Sequence, residues 1–210
     1  RGELLRHQVL RHEVDVRDVR RQEHGPGADV GEQRDHVADL ALAASLGFTD
    51  WLALEARLPL RLVETTAQYH DEQGNELPEF ESIHHRDETL FGPGDLELVN
   101  RFRVVSGSPV VDLRLGLALP TGGIEDNPFA LGREGKRHQH TFFGSGTLDP
   151  IVGVDATFRL GSFGLATTLT ARTALYENPR GYQAGTRIGG AAFPVHGLGS
   201  SGIQLFGGPA

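Results

Sequence analysis

The sequence predicts an all-β fold: an antiparallel, up-and-down transmembrane β-barrel, incomplete at its C-terminus. Three observations predict it. Apolar and polar residues alternate over several long segments, and because successive strand side chains point to opposite sides this gives each strand one greasy and one charged face. The joins between segments alternate between tight turns and long polar connections, the pattern of a meander with short turns on one rim and extended loops on the other. No apolar run approaches the roughly 18 residues of a membrane helix, although hydrophobic residues make up 38% of the 210-residue chain.

Composition narrows the function classes. The chain has no cysteine, which excludes disulfides and thiolate chemistry. A net charge of −8 disfavours nucleic acid as a partner. A chain that opens on Arg1 and contains no methionine reads as a trimmed or partial product, and a barrel of this kind needs export.

Taken in order, residues 1–35 read as a charged N-terminal arm or first strand plus a loop, and residues 36–210 as the barrel meander. In the first part Leu10, His12, Val14 and Val16 alternate with Arg11, Glu13, Asp15 and Arg17, and Arg20 to Glu32 with Gly25, Pro26 and Gly27 reads as loop. From His36 to Val63 two long strands join at Thr49 and Asp50. Leu40, Leu42, Leu46, Leu52, Leu54, Leu58, Leu60 and Leu62 fall on one face, and Asp39, Glu55, Arg57 and Arg61 on the other. The second strand runs to about twelve residues, against a typical five or six.

Glu64 to Gly94 reads as a long polar connection. Leu96 to Val104 and Val111 to Leu119 form the next pair around Ser106–Pro109, and Thr121 to Leu148 is the second long connection. Val152 to Leu160 and Phe163 to Leu175 pair around Gly161 and Ser162. After Asn178–Gly181 comes a glycine-rich strand, Tyr182 to Phe193; Pro194 to Ser201 connects it to a last one, Ile203 to Phe206. About eight or nine strands are legible, where single-chain bacterial barrels close on an even number.

The charged row predicts a wet lumen knitted by ion pairs, with Glu55, Arg57, Arg61, Arg101, Arg103, Asp112, Arg114, Asp155 and Arg159 lining it. Phe48, Trp51, Phe163 and Tyr176 stand at strand ends, where interfacial aromatic girdles belong. The function this implies is a channel or passive uptake protein for small, including hydrophobic, solutes in a Gram-negative outer membrane, with membrane lipid and a small-molecule solute as partners. Two alternatives share the alternation: a soluble lipocalin-like barrel holding an apolar ligand between its leucine rows, and a plugged structural barrel whose loops bind a partner.

Three glycine-rich motifs follow one another: Gly92-Pro93-Gly94-Asp95-Leu96 leading into Arg101-Phe102-Arg103, then Leu115 to Gly122 with Leu119-Pro120-Thr121-Gly122 at its end, then Gly144-Ser145-Gly146-Thr147-Leu148-Asp149-Pro150. This succession resembles the GxGD, LPTG and GSGxxD series of the proteobacterial outer-membrane transporter-like barrels named after the meta-pathway of phenol degradation, over residues 36–193. The resemblance implies an outer-membrane barrel associated with uptake of hydrophobic compounds and without catalytic residues. The motifs themselves read as rim turns, Gly144-Ser145-Gly146 included.

No catalytic constellation is legible. Ser106, Ser145, Ser162, Ser200 and Ser201 sit beside glycines, none in a Gly-x-Ser-x-Gly elbow, and phosphate-binding and dinucleotide fingerprints are absent. The expectation is a non-enzyme with no cofactor. Of the ten histidines, His70, His84, His85, His138 and His140 fall in the two long connections. His84, His85, His138 and His140 are candidate ligands for a divalent metal at the extracellular loops, His138 and His140 sharing a face if extended. Asp71, Glu72, Asp87 and Glu88 are available to complete such a shell. The plainer reading is that these side chains are solvated and bind nothing.

Overall fold

The computed structural model describes residues 11–24, 30–71, 73–77, 86–138, 140–197 and 204–206, with side chains described from Arg34 to Val195 within those ranges. Ten strands form one antiparallel sheet: β1 (Arg11–His24), β2 (Val30–Gly47), β3 (Leu52–His70), β4 (Glu88–Pro93), β5 (Leu96–Ser106), β6 (Val110–Leu119), β7 (Asp149–Leu160), β8 (Phe163–Arg172), β9 (Arg187–Gly197) and β10 (Gln204–Phe206). The order is β1-β2-β3-β5-β6-β7-β8-β9-β10 with β4 beside β3. This is the expected meander, curled into a half-barrel.

Register carries the alternation from strand to strand. Leu42 faces Leu58, Leu46 faces Leu54, Leu98 faces Leu117, and Leu113 faces Val154, so the apolar residues share one face of the whole sheet. The charged residues share the other: Arg57 opposite Glu97, Arg101 opposite Arg114, Asp112 opposite Asp155. That charged face is the concave one. Arg172 of β8 reaches Asp95, just ahead of β5. On a flat sheet three strand spacings would separate them by about 14 Å. Gly116 permits the curl, since a Cβ there would lie 2.7 Å from the Val99 Cα. Val99, Ala118 and Ile151 pack into a small buried core around it.

The wall is uneven in height. β3 pairs with β5 through residues 52–57 and with β4 through residues 60–65, so β4 and β5 are one strand broken at Gly94 and Asp95. Pro59 sits at the break. Its carbonyl accepts from Gly94 N (2.8 Å), so the N–H it lacks would point at the gap, where a ladder acceptor is missing. Above this level the strands that continue among the described residues are β1 to β4.

Several boundaries depart from expectation. The loop expected over Arg20–Glu32 is strand at both ends, with β1 reaching His24 and β2 starting at Val30. The Glu64–Gly94 connection shortens to residues 71–87, because β2 pairs with β3 as far as Val30 opposite His70 and β4 covers its other edge. Ladder hydrogen bonds hold a strand whether or not its side chains are greasy. In the same way β9 runs through Pro194 to Gly197, paired along β8. The second connection contains a helix, α1 (Pro128–Arg133), capped by Asn127, whose side-chain oxygen accepts from Phe129 N and Ala130 N at 3.0 and 3.2 Å. An N-cap asparagine followed by proline is a helix-start signature.

Candidate functional site: a charged concave face and a buried carboxylate cluster

The expected lining residues divide into groups. Near the tight-turn rim, Arg101 donates to Glu55 (2.8 Å) and to Asp112 (2.7 Å), and Arg103 holds Asp112 through Nε (2.9 Å). Arg114 lies 3.5 Å from Glu55, and Asp155 stands 3.9 Å from both Arg101 and Arg114 while accepting from Thr168 at 2.7 Å. Arg101 and Arg114 face each other directly, a repulsive arrangement by itself. Three carboxylates, Glu55, Asp112 and Asp155, flank the arginine row from above and below and neutralise it. Arg61 is chelated by Asp39 at 2.6 and 2.9 Å. Arg57 contacts Glu97 at 3.4 Å. Arg159 stands apart: it is exposed beside the β7–β8 turn, and no ion pair involves it among the described residues.

A second set of groups escaped the sequence reading. Asp95 and Asp149 are almost completely buried. Asp95 accepts from Gly122 N (3.1 Å), Ser145 N (2.9 Å) and Ser145 Oγ (3.0 Å). Arg172 bridges the pair, donating to Asp95 at 2.5 Å and to Asp149 at 2.7 and 2.9 Å, and its third nitrogen lies 3.6 Å from Glu97. Thr147 Oγ1 donates to Asp149, and Asn178 donates to the Ser145 carbonyl (2.9 Å) while its own oxygen accepts from Arg180 N and Tyr182 N. Two guanidinium groups, Arg57 and Arg172, thus face three carboxylates, and backbone and hydroxyl donors supply the remainder. Buried carboxylates need this density of partners.

The expectation that the three glycine motifs are rim turns is corrected here. Asp95 comes from the first motif, Thr121 and Gly122 from the second, and Gly144 to Asp149 from the third, and all meet inside the curl. The glycines allow it: a Cβ on Gly122 would fall 2.6 Å from the Gly144 Cα, and one on Gly144 2.5 Å from Asp95 Oδ1. The connection after β6 therefore folds inward across the concave face. Its Phe143 ring packs on Gly92 of β4, and Arg86 reaches the His138 carbonyl at 3.5 Å. The available signal was Asp95, Asp149 and Arg172 lying on the charged parity of their strands. What the sequence could not supply was their distance, since Arg172 is 77 residues from Asp95.

His84 and His85 lie outside the described residues, as does Glu72. His138 and His140 come together with ring centroids 5.0 Å apart, but edge to face. His138 is buried, not solvated, with Nδ1 2.9 Å from the Lys136 carbonyl. Among the described residues no group of three His, Asp or Glu side chains is placed to hold a metal ion. Ser145 gives its hydroxyl to the carboxylate cluster, an arrangement that positions backbone. No protein-family model and no curated protein matches the chain.

Proposed function

We propose that the chain forms the wall of an outer-membrane β-barrel in a Gram-negative envelope and acts as a channel or passive uptake protein for small, including hydrophobic, solutes. The observation that carries this reading is the polarity of the curl. Leu115 and Leu117 are 51% and 41% exposed on the convex face, while the charged residues pair across the concave one. A lipocalin-like carrier needs the opposite arrangement, with leucines inside. Strand length supports the reading as well: the ten residues of β6, tilted near 40°, span about the 25 Å apolar band of such membranes. Phe48, Trp51 and Phe163 stand exposed at the tight-turn rim, where a girdle would lie. The convergence of the three motifs on one cluster supports treating the resemblance to the phenol meta-pathway barrels as one structural unit, and that likeness is part of the proposal.

A second reading, a plugged structural barrel, is favoured by the inward connection locked through Asp95 and Arg172. Planar-bilayer recording separates the two. The channel reading expects discrete conductance steps whose ion selectivity shifts when Arg101 or Glu55 is neutralised. A reconstituted chain that conducts nothing overturns it in favour of the plug. A chain that purifies monodisperse without detergent overturns both.

A further inference from the structure

The ion pairs of the concave face balance in charge but not in exposure. In Arg103–Asp112 the arginine side chain is 40% exposed and the aspartate 7%. In Arg57–Glu97 the values are 37% and 17%, and in Arg61–Asp39 they are 40% and 23%. Arg101 and Arg114 stand about level with Glu55 and Asp155, so the ladder does not reverse the pattern. Above Arg61 the order turns, and Glu88 is more exposed than Arg86. The cause is side-chain length. On a concave wall the longer arginine carries its guanidinium toward the axis, while the carboxylate stays against the strand. Each such pair is a dipole with its positive end facing the bore. Arg159 and Arg187 add exposed cations on the same face, with no ion pair among the described residues. The chain as a whole carries −8, so this sign belongs to the face and not to the composition.

We propose that the concave face is an anion-accepting surface, which makes the path along it select small anions over cations. Arg103 lies level with Trp51 at the tight-turn rim, where its backbone N–H donates to the Trp51 carbonyl; Arg57 and Arg61 follow further up β3. The three guanidinium groups therefore form a row along the path. Their carboxylates fix them in place from behind and contribute less to the field in the bore, because they are screened by the wall and by the arginines themselves. A water-filled groove that shows one sign of charge between low-dielectric walls concentrates ions of the other sign, and arginine-lined constrictions favour anions. The inference rests on the uptake reading for its path and gives the solute its charge.

Two measurements on the full chain test it. The first is the reversal potential in a potassium chloride gradient across a planar bilayer, since the two ions have nearly equal mobility in water. Chloride is expected to be preferred about threefold in about 0.1 M salt, and the preference to fade near 1 M, where fields are screened within about 3 Å. Arg57→Gln is expected to remove about half of the preference, Arg57→Lys to retain it, and Lys136→Gln, an equal charge change in the connection after β6, to leave it unchanged. Retention of the β-sheet circular dichroism spectrum shows that each variant is folded. A permeability ratio at or below unity, or the same ratio in Arg57→Gln as in Lys136→Gln, overturns the inference. The second measurement needs no conduction: paramagnetic broadening of amide resonances in detergent micelles by an anionic nitroxide, carboxy-PROXYL, and a cationic one, aminomethyl-PROXYL. The anionic probe is expected to broaden the amides of Arg57, Arg61 and Arg103 more strongly. Equal or reversed broadening overturns the inference whatever the conductance, and an anionic excess in a chain that conducts nothing overturns the uptake reading while the sign of the face stands.

Discussion

Arg172 illustrates how one residue can bear a disproportionate share of a structure. Its guanidinium, with a side chain only 12% exposed, bridges two carboxylates that are each about 1% exposed. Arg172→Gln would leave Asp95 and Asp149 buried without their cation, a change that typically costs about 3–5 kcal/mol. Lys136→Gln breaks a pair whose side chains are 64% and 57% exposed, and an open pair of that kind, screened by water and salt, contributes little to stability. The expected outcome is a large drop in urea midpoint for the first variant and a small one for the second, at similar slope. Comparable midpoints would mean the cluster is not the lock its geometry suggests.

At the scale of elements, the turn that follows β3 is built on a carboxylate. Asp71 accepts from Gln73 N (2.9 Å), Asn75 N (2.8 Å) and the Asn75 side-chain amide (2.8 Å). The Asn75 side chain first, then the backbone donors, hold the Asp71 carboxyl below its ordinary range. Because the folded value is depressed, the stabilisation is present above the value of a free aspartate, near 3.9, and is lost as pH falls through the folded value. The turn is expected to persist down to the free-aspartate range and to open below it, seen as an acid-side midpoint in the Asn75 amide shift. Asp71→Asn should abolish that midpoint, and a midpoint at or above the free value would contradict the arrangement. The same scale shows why the inward connection was illegible. Thr121 to Leu148 is glycine-rich and polar, like an exposed loop, and nothing local says that Asp95 and Arg172 wait beneath it.

For the whole molecule, the decisive property is which side of the sheet meets hydrocarbon. Leu115→Arg puts a cation in the middle of the convex face. In a bilayer such a substitution costs about 2–4 kcal/mol near the midplane, whereas on a water-exposed surface it falls within about 0.5 kcal/mol. Folding equilibria measured in lipid vesicles are expected to show the larger loss, and the smaller one would favour a soluble barrel. Glu55, Asp112 and Asp155 around Arg101, Arg103 and Arg114 make a balanced interior, so neutralising one member should shift ion selectivity as well as stability.

The sequence by itself determined the strand-by-strand alternation, the two faces, the antiparallel meander and the tight turns, because each depends on residues within a few positions of one another. It placed Glu55, Arg57, Arg101, Arg114 and Asp155 on one face because parity along a strand is exact. Only the tertiary structure decided which of those charges touch, that the sheet curls toward them, and that three glycine motifs close into one buried cluster. Curvature accumulates over many strands, and an ion pair such as Arg172 with Asp95 depends on the sum of those twists, which no single segment encodes.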